Sequence, residues 1–187
     1  MSEKVVGLER KTILSPCRTY RYQLWREWEL PADETREFGP HLGVAAFIGL
    51  NPSTADETKD DATIRKCIGF AKRWGCTALC MVNLFAYRSR NPKLLLNNPD
   101  PVGPENDDYL REVSWGAPLV IAAWGAFPQF DARARAVERL FVDLKCLGMS
   151  RGGFPRHPLM LPYKTRLQQW SRPTPSQVPG PTGEREK

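Results

Sequence analysis

Three polar residues carry most of the chemical potential of this chain, and each follows or interrupts an apolar run. Asn51 comes directly after Val44-Ala45-Ala46-Phe47-Ile48-Gly49-Leu50 and precedes Pro52. Proline has no amide hydrogen and pushes the residue before it toward an extended conformation, so a polar side chain is held at the carboxyl end of a buried strand. In open α/β sheets that is where ligands bind, although a plain strand-to-loop turn uses the same residue types. Asn83 lies near the end of Thr77–Phe85. Its amide carries both a donor and acceptors, so it can read the amide-like edge of a base or cap the next turn. His157 is one of two histidines, in the Pro-bounded loop Phe154–Pro162 with Arg151, Arg156, Lys164 and Arg166 nearby. An imidazole there serves as a donor, an acid or base, or a structural group.

Other reactive side chains have simpler readings. Asp60 and Asp61 precede an apolar pattern of helical spacing and suit the positive end of a helix dipole; a metal-binding carboxylate pair is the alternative. The five cysteines include no Cys-x-x-Cys pair, and only His41 and His157 could join them around a metal. Reduced, mostly buried thiols are expected, with no metal and no cofactor.

The elements that position these groups read as follows. Residues 1–18 show no period and are assigned to an N-terminal extension. Tyr20–Trp28 alternates bulky apolar and polar residues, as a half-buried strand does, and is expected at a sheet edge. Val44–Ile48 is a buried strand, Ile64 to Trp74 a helix closed by Gly75, and Thr77–Phe85 a second buried strand. Asn91–Pro104 is a Pro- and Asn-rich loop, Pro104 to Trp115 a helix, Pro118–Ala126 a third strand, Ala132–Leu144 an amphipathic helix and Lys145–Met149 a short strand. From Ser171 the chain is rich in Pro, Ser and Gly, and a disordered tail over 171–187 is expected. Residues 19–170 are read as one α/β domain, a three-layer α/β/α sandwich on a mainly parallel sheet.

At 187 residues and 41% apolar content the chain can bury one core. No apolar run approaches the roughly 20 residues of a membrane span, and the charged start lacks a signal peptide's apolar segment. No membrane role, a cytoplasmic location and a monomer are expected. The net charge of +6 suits a polyanionic partner.

Gly49-Leu50-Asn51-Pro52-Ser53, Val82-Asn83-Leu84, Ala123-Trp124-Gly125 and His157-Pro158 follow one another in an order and spacing similar to the uracil-DNA glycosylase superfamily. More closely, Leu50 to Asp56, Asp60 to Arg65, Val82 to Arg88, Pro101 to Asp107 and Arg156 to Leu159 resemble the bacterial family called domain of unknown function 1643. That resemblance spans about residues 20 to 170.

The glycosylase resemblance implies an enzyme that cleaves the N-glycosidic bond of a modified or mismatched pyrimidine, acting on DNA or on a nucleotide. It gives Asn51 the place that positions the attacking water, Asn83 the place that reads the pyrimidine edge, and His157 the hydrogen bond to the carbonyl where negative charge develops. Ser53 and Phe85 complete the expected base-binding set. Arg88, Arg156 and Lys164 are the expected nucleic-acid contacts, with Leu159, Met160 and Leu161 as the wedge that fills the hole left by a flipped nucleotide. Two departures matter. Ser53 stands where uracil-specific enzymes have a Tyr that bars a 5-methyl group, which implies room for a larger 5-substituent. The stacking aromatic has no counterpart between Asn51 and Cys67. A non-catalytic module of the same fold that binds modified or damaged nucleic acid, and a metal-dependent nucleotide enzyme using Asp56, Asp60 and Asp61, are the competing readings.

Overall fold

The computed structural model describes residues 9–30 and 42–172. They form a mixed α/β unit around one seven-stranded sheet. Its strands are β1 (Glu9–Leu14), β2 (Arg21–Glu27), β3 (Gly43–Gly49), β4 (Cys76–Asn83), β5 (Leu119–Ala122), β6 (Lys145–Cys146) and β7 (Gln168–Gln169). They lie in the order β1-β2-β4-β3-β5-β6-β7. The helices are α1 (Ala62–Arg73), α2 (Leu94–Asn97), α3 (Asn106–Gly116) and α4 (Asp131–Glu138).

β3 sits at the centre because nearly every side chain it carries is apolar, which suits a strand covered on both faces. Ala45 and Phe47 join one core cluster with Ile64, Cys67, Phe70 and Ala71 of α1. Ala46 and Ile48 join the other, with Leu110 and Val113 of α3 and Ala134 and Val137 of α4. The connection leaving β3 therefore crosses one face and those leaving β4 and β5 cross the other. Where neighbouring connections diverge in this way, a crevice opens beyond the carboxyl ends of the strands.

The helix boundaries follow local chemistry. Asp61 caps α1, its carboxylate accepting from the Ile64 amide at 2.9 Å. At the other end Trp74 and Gly75 donate to Phe70 and Lys72, and Gly75 takes φ +85°, a region where Gly escapes the Cβ penalty.

Several expectations change. The sheet is mixed rather than mainly parallel: β3–β4, β3–β5 and β5–β6 are parallel, while β1–β2, β2–β4 and β6–β7 are antiparallel. The Tyr20–Trp28 strand is not at the edge, because residues 9–14, read as part of an extension, form β1 outside it. β1 gave no pattern because it runs Glu-Arg-Lys-Thr-Ile-Leu, polar for its first four residues. α4 stops at Glu138, six residues short of the expected end, and continues as turns through Leu140 and Phe141. The expected tail begins at Ser171, yet Arg172 is anchored by both Glu138 oxygens and by Asp131; residues 173–187 lie outside the described residues.

Among the described residues no helix is long and apolar enough to cross a membrane. All five cysteines are free; Cys67, Cys76, Cys80 and Cys146 are buried, as expected, but Cys17 is exposed. Hydrogen bonds from Ser15 and Thr19 hold its thiol down to about 7. Burial pushes the Cys76 thiol up to about 12.

Candidate functional site

The crevice at the ends of β3 and β4 contains a cavity of about 170 Å³. Asn51, Asn83, Ser53 and His157 all line it. Parallel pairing explains the meeting of the first two: Gly49 lies opposite Asn83 in the β3–β4 register, so Asn51, two residues past Gly49, leaves the sheet beside it. Gly49 is required at that point, because a Cβ there would stand 2.8 Å from the Asn83 side-chain oxygen.

Asn51 is held firmly. Its Nδ2 donates to the carbonyls of Ser89 at 2.8 Å, Pro52 at 3.1 Å and Tyr87 at 3.4 Å. The amide orientation follows from these three acceptors, and Oδ1 is left with no donor among the described residues. Asn83 differs. It is buried to 1% exposure, its Nδ2 is sealed with no acceptor, and its Oδ1 has no donor among the described residues. Its backbone carbonyl is fixed by Asn106, itself fully buried. The sealed Nδ2 costs on the order of 1–3 kcal/mol, and Oδ1 is the Asn83 atom left to accept from a ligand.

His157 stands exposed at the rim, ahead of the 3-10 turn Pro158–Met160. Its Nδ1 accepts from the Leu159 amide at 3.3 Å, so the neutral ring carries its proton on Nε2 and is a donor there. Desolvation by the surrounding protein pushes its pKa below the ordinary value of 6.5, and the Asp61 carboxylate opposes that shift.

The cavity also draws in Arg21, Arg90, Trp124 and Phe127, which were not singled out as site groups, and Asp61, which was read as a helix cap or a metal carboxylate. Asp61 supplies a carboxylate as well as the α1 cap. Trp124 and Phe127, following β5, supply the aromatic surface missing between Asn51 and Cys67. The Ala123-Trp124-Gly125 motif was the available signal for Trp124. Arg21 had none, because its position depends on a break in strand alternation. Ile13 pairs with Gln23 and Leu14 with Arg21, so Tyr22 is an extra, bulged residue. Tyr22 stacks on Tyr109 of α3 at 4.9 Å between centroids, and Gln23 also reaches α3 through Glu112. Arg21 is thereby turned away from α3, and its Nη1 donates to the Ala55 carbonyl at 2.9 Å.

Other expected site residues lie elsewhere. Phe85 does not line the cavity; it is buried in the core edge-on to Phe130, with centroids 4.9 Å apart. Leu161 is 2% exposed and packed in the α1-side core, so it cannot swing out as a wedge, whereas Leu159 and Met160 are exposed on the loop. Arg156, His157, Met160 and Phe127 border an adjoining open groove of about 520 Å³. Arg88 is turned toward the β1–β2 connection, donating to the Arg18 carbonyl, and Lys164 is exposed beyond the loop.

The carboxylates proposed for a metal are otherwise engaged. Asp56 closes its own loop through Thr58 and Lys59, bonds that hold its carboxyl down to about 2, and Asp60 pairs with buried Arg26 at 2.8 Å and with Arg10 at 3.0 Å. Among the described residues no group of three or more His, Cys, Asp or Glu could hold a metal ion.

The sequence model of a family described as Protein of unknown function (DUF1643) matches residues 21–159. No curated protein and no solved structure matches this chain.

Proposed function

The chain belongs to that family, and from this premise we propose that it is a nucleobase-processing enzyme of uracil-DNA glycosylase-like three-layer architecture. It hydrolyses the N-glycosidic bond of a modified or mismatched pyrimidine in DNA. The observation that carries this reading is the convergence of Asn51, Asn83 and His157 on one cavity at the carboxyl ends of neighbouring parallel strands.

In this mechanism a flipped pyrimidine enters past the rim and packs against Phe127 and Trp124. Oδ1 of Asn83, which has no donor among the described residues, accepts a hydrogen bond from a ring N–H on the pyrimidine edge. Nε2–H of His157 donates to the ring carbonyl as the departing base takes up the electrons of the glycosidic bond. Water forms the new bond at the sugar carbon. Asn51, tied by Nδ2, presents Oδ1 to orient that water but is uncharged and cannot take its proton. Asp61, the carboxylate in the cavity wall, is the group suited to accept that proton and to stabilise the developing sugar cation. Ser53 leaves space beside the ring, which supports a 5-substituted pyrimidine. Leu159 and Met160 are the exposed side chains placed to fill the vacated stack.

The test uses labelled single- and double-stranded oligonucleotides carrying uracil, hydroxymethyluracil, mismatched thymine and other modified pyrimidines, with free base and binding measured together. Base release abolished by both Asn51→Ala and His157→Ala is the expected result. Binding without release transfers the site to the second reading, a recognition module, which the uncharged and backbone-tethered Asn51 favours. Neither binding nor release refutes both.

A further inference from the structure

We propose that the cavity is built to receive an anionic oxygen, so that its ligand is a pyrimidine bearing a carboxylate or phosphate group rather than a neutral base. This rests on the pyrimidine reading and adds the charge of the ligand to it. The site is the guanidinium of Arg21, turned toward the α1 side of the sheet by the bulge at Tyr22. Arg21 lines the cavity at 2% exposure, yet only its Nη1 is bonded, to the Ala55 carbonyl. Nε is buried without an acceptor, and Nη2 makes no bond among the described residues.

Buried guanidinium groups are normally matched by a bonded carboxylate. Arg26, five residues along the same strand, shows the usual solution in its pair with Asp60 at 2.8 Å. Arg21 has no such pair; Asp61 and Asp56 act on it only through space, while burial and the neighbouring Arg88 and Arg26 work against its charge. With Nη1 tied to Ala55 and Nε sealed in the wall, Nη2 is the guanidinium donor left for the cavity, and it suits a carboxylate or phosphate oxygen, to which it can make a charge-assisted bond. His157, whose free donor is Nε2–H, borders the same cavity, and Arg90 adds a second cation. The one opposing charge among the cavity's lining residues, Asp61, already has one oxygen bound to the Ile64 amide at the positive end of α1.

The test is calorimetric titration of the full chain with uracil, its 5- and 6-carboxylates and inorganic phosphate, repeated with Arg21→Gln and Arg21→Lys. The expected result is at least about tenfold tighter binding of an anionic probe than of uracil. Arg21→Gln abolishes that difference. Carboxylates binding identifies an acidic base, and phosphate alone identifies a phosphate-bearing ligand and sinks the base reading while sustaining the anion site. Uracil binding as tightly as every anionic probe overturns the inference and leaves the pyrimidine reading standing; failure of all anionic probes to bind overturns it as well. Because Arg21 is buried and its variants can lose the fold, the comparison among ligands on the unaltered protein decides the matter on its own.

Discussion

Asn83 is where function and stability pull in opposite directions. Its amide is buried with neither end paired, so Asn83→Leu removes an unsatisfied group of similar size. That substitution is expected to leave thermal stability unchanged or raised by about 1 kcal/mol while reducing ligand binding or base release more than tenfold. Paired melting and binding measurements check both signs. His157 carries a pH prediction. Its folded pKa is lowered, so the neutral donor form persists through pH 6.5 and below. Activity that needs this form is flat above that value and declines only as pH falls through the lowered pKa. The associated stability has the same sign: fully present above the unfolded value, it is lost as pH falls through the folded one. Asp61 raises this pKa, so Asp61→Asn, which keeps a capping side chain, shifts it lower still. NMR titration of the ring in both proteins reads the difference.

At the scale of elements, the site depends on how the His157 loop docks on α1 and on how β2 is anchored. Gly69 of α1 lies under Tyr163, and a Cβ there would meet the Tyr163 ring at 2.5 Å. Tyr163 also covers Phe70 and receives Lys66 at 3.9 Å from its centroid. Gly69→Ala is therefore expected to expel the ring, loosen the loop and lower binding several-fold with a modest loss in Tm, measured on the same preparation. Asp60→Ala strands Arg26, which is fully buried, and is expected to cost about 3–5 kcal/mol in denaturant unfolding. How far the sequence revealed these elements depended on how local their causes are. β3, α1 and β4 were legible because runs of apolar residues, the Asp61 cap and Gly75 act within a few positions. β1 and β7 were not: the first is mostly polar, the second is two exposed glutamines, and each exists because a neighbouring strand offers an unpaired edge. The Tyr22 bulge, which aims Arg21, is set by pairing with β1 and by stacking on Tyr109, both remote in sequence.

For the whole molecule, a parallel centre with diverging connections makes one crevice, and three motifs about thirty to seventy residues apart meet there. Asn51 and Asn83 each follow or end a buried strand and could be read as strand-end groups, whereas His157 lies in a loop and was placed with them only by the glycosylase resemblance. Phe85 could not be excluded by that reasoning, because only the packed core shows that Phe130 occupies its ring face. The aromatic wall was missed for a related reason: Phe127 comes from the connection after β5, a strand away from the motif searched. The proposed function requires a pyrimidine to occupy this crevice through Asn83 and His157. The most direct measurement follows the side-chain amide of Asn83 and the ring nitrogens of His157 by NMR while pyrimidines and modified-base oligonucleotides are titrated in. The expected result is that both sets of signals shift together and saturate with one dissociation constant, the Asn83 amide signals moving as Oδ1 accepts a hydrogen bond from the ligand. Ligands that bind elsewhere while these signals stay fixed, or a complete panel that moves neither, contradict it.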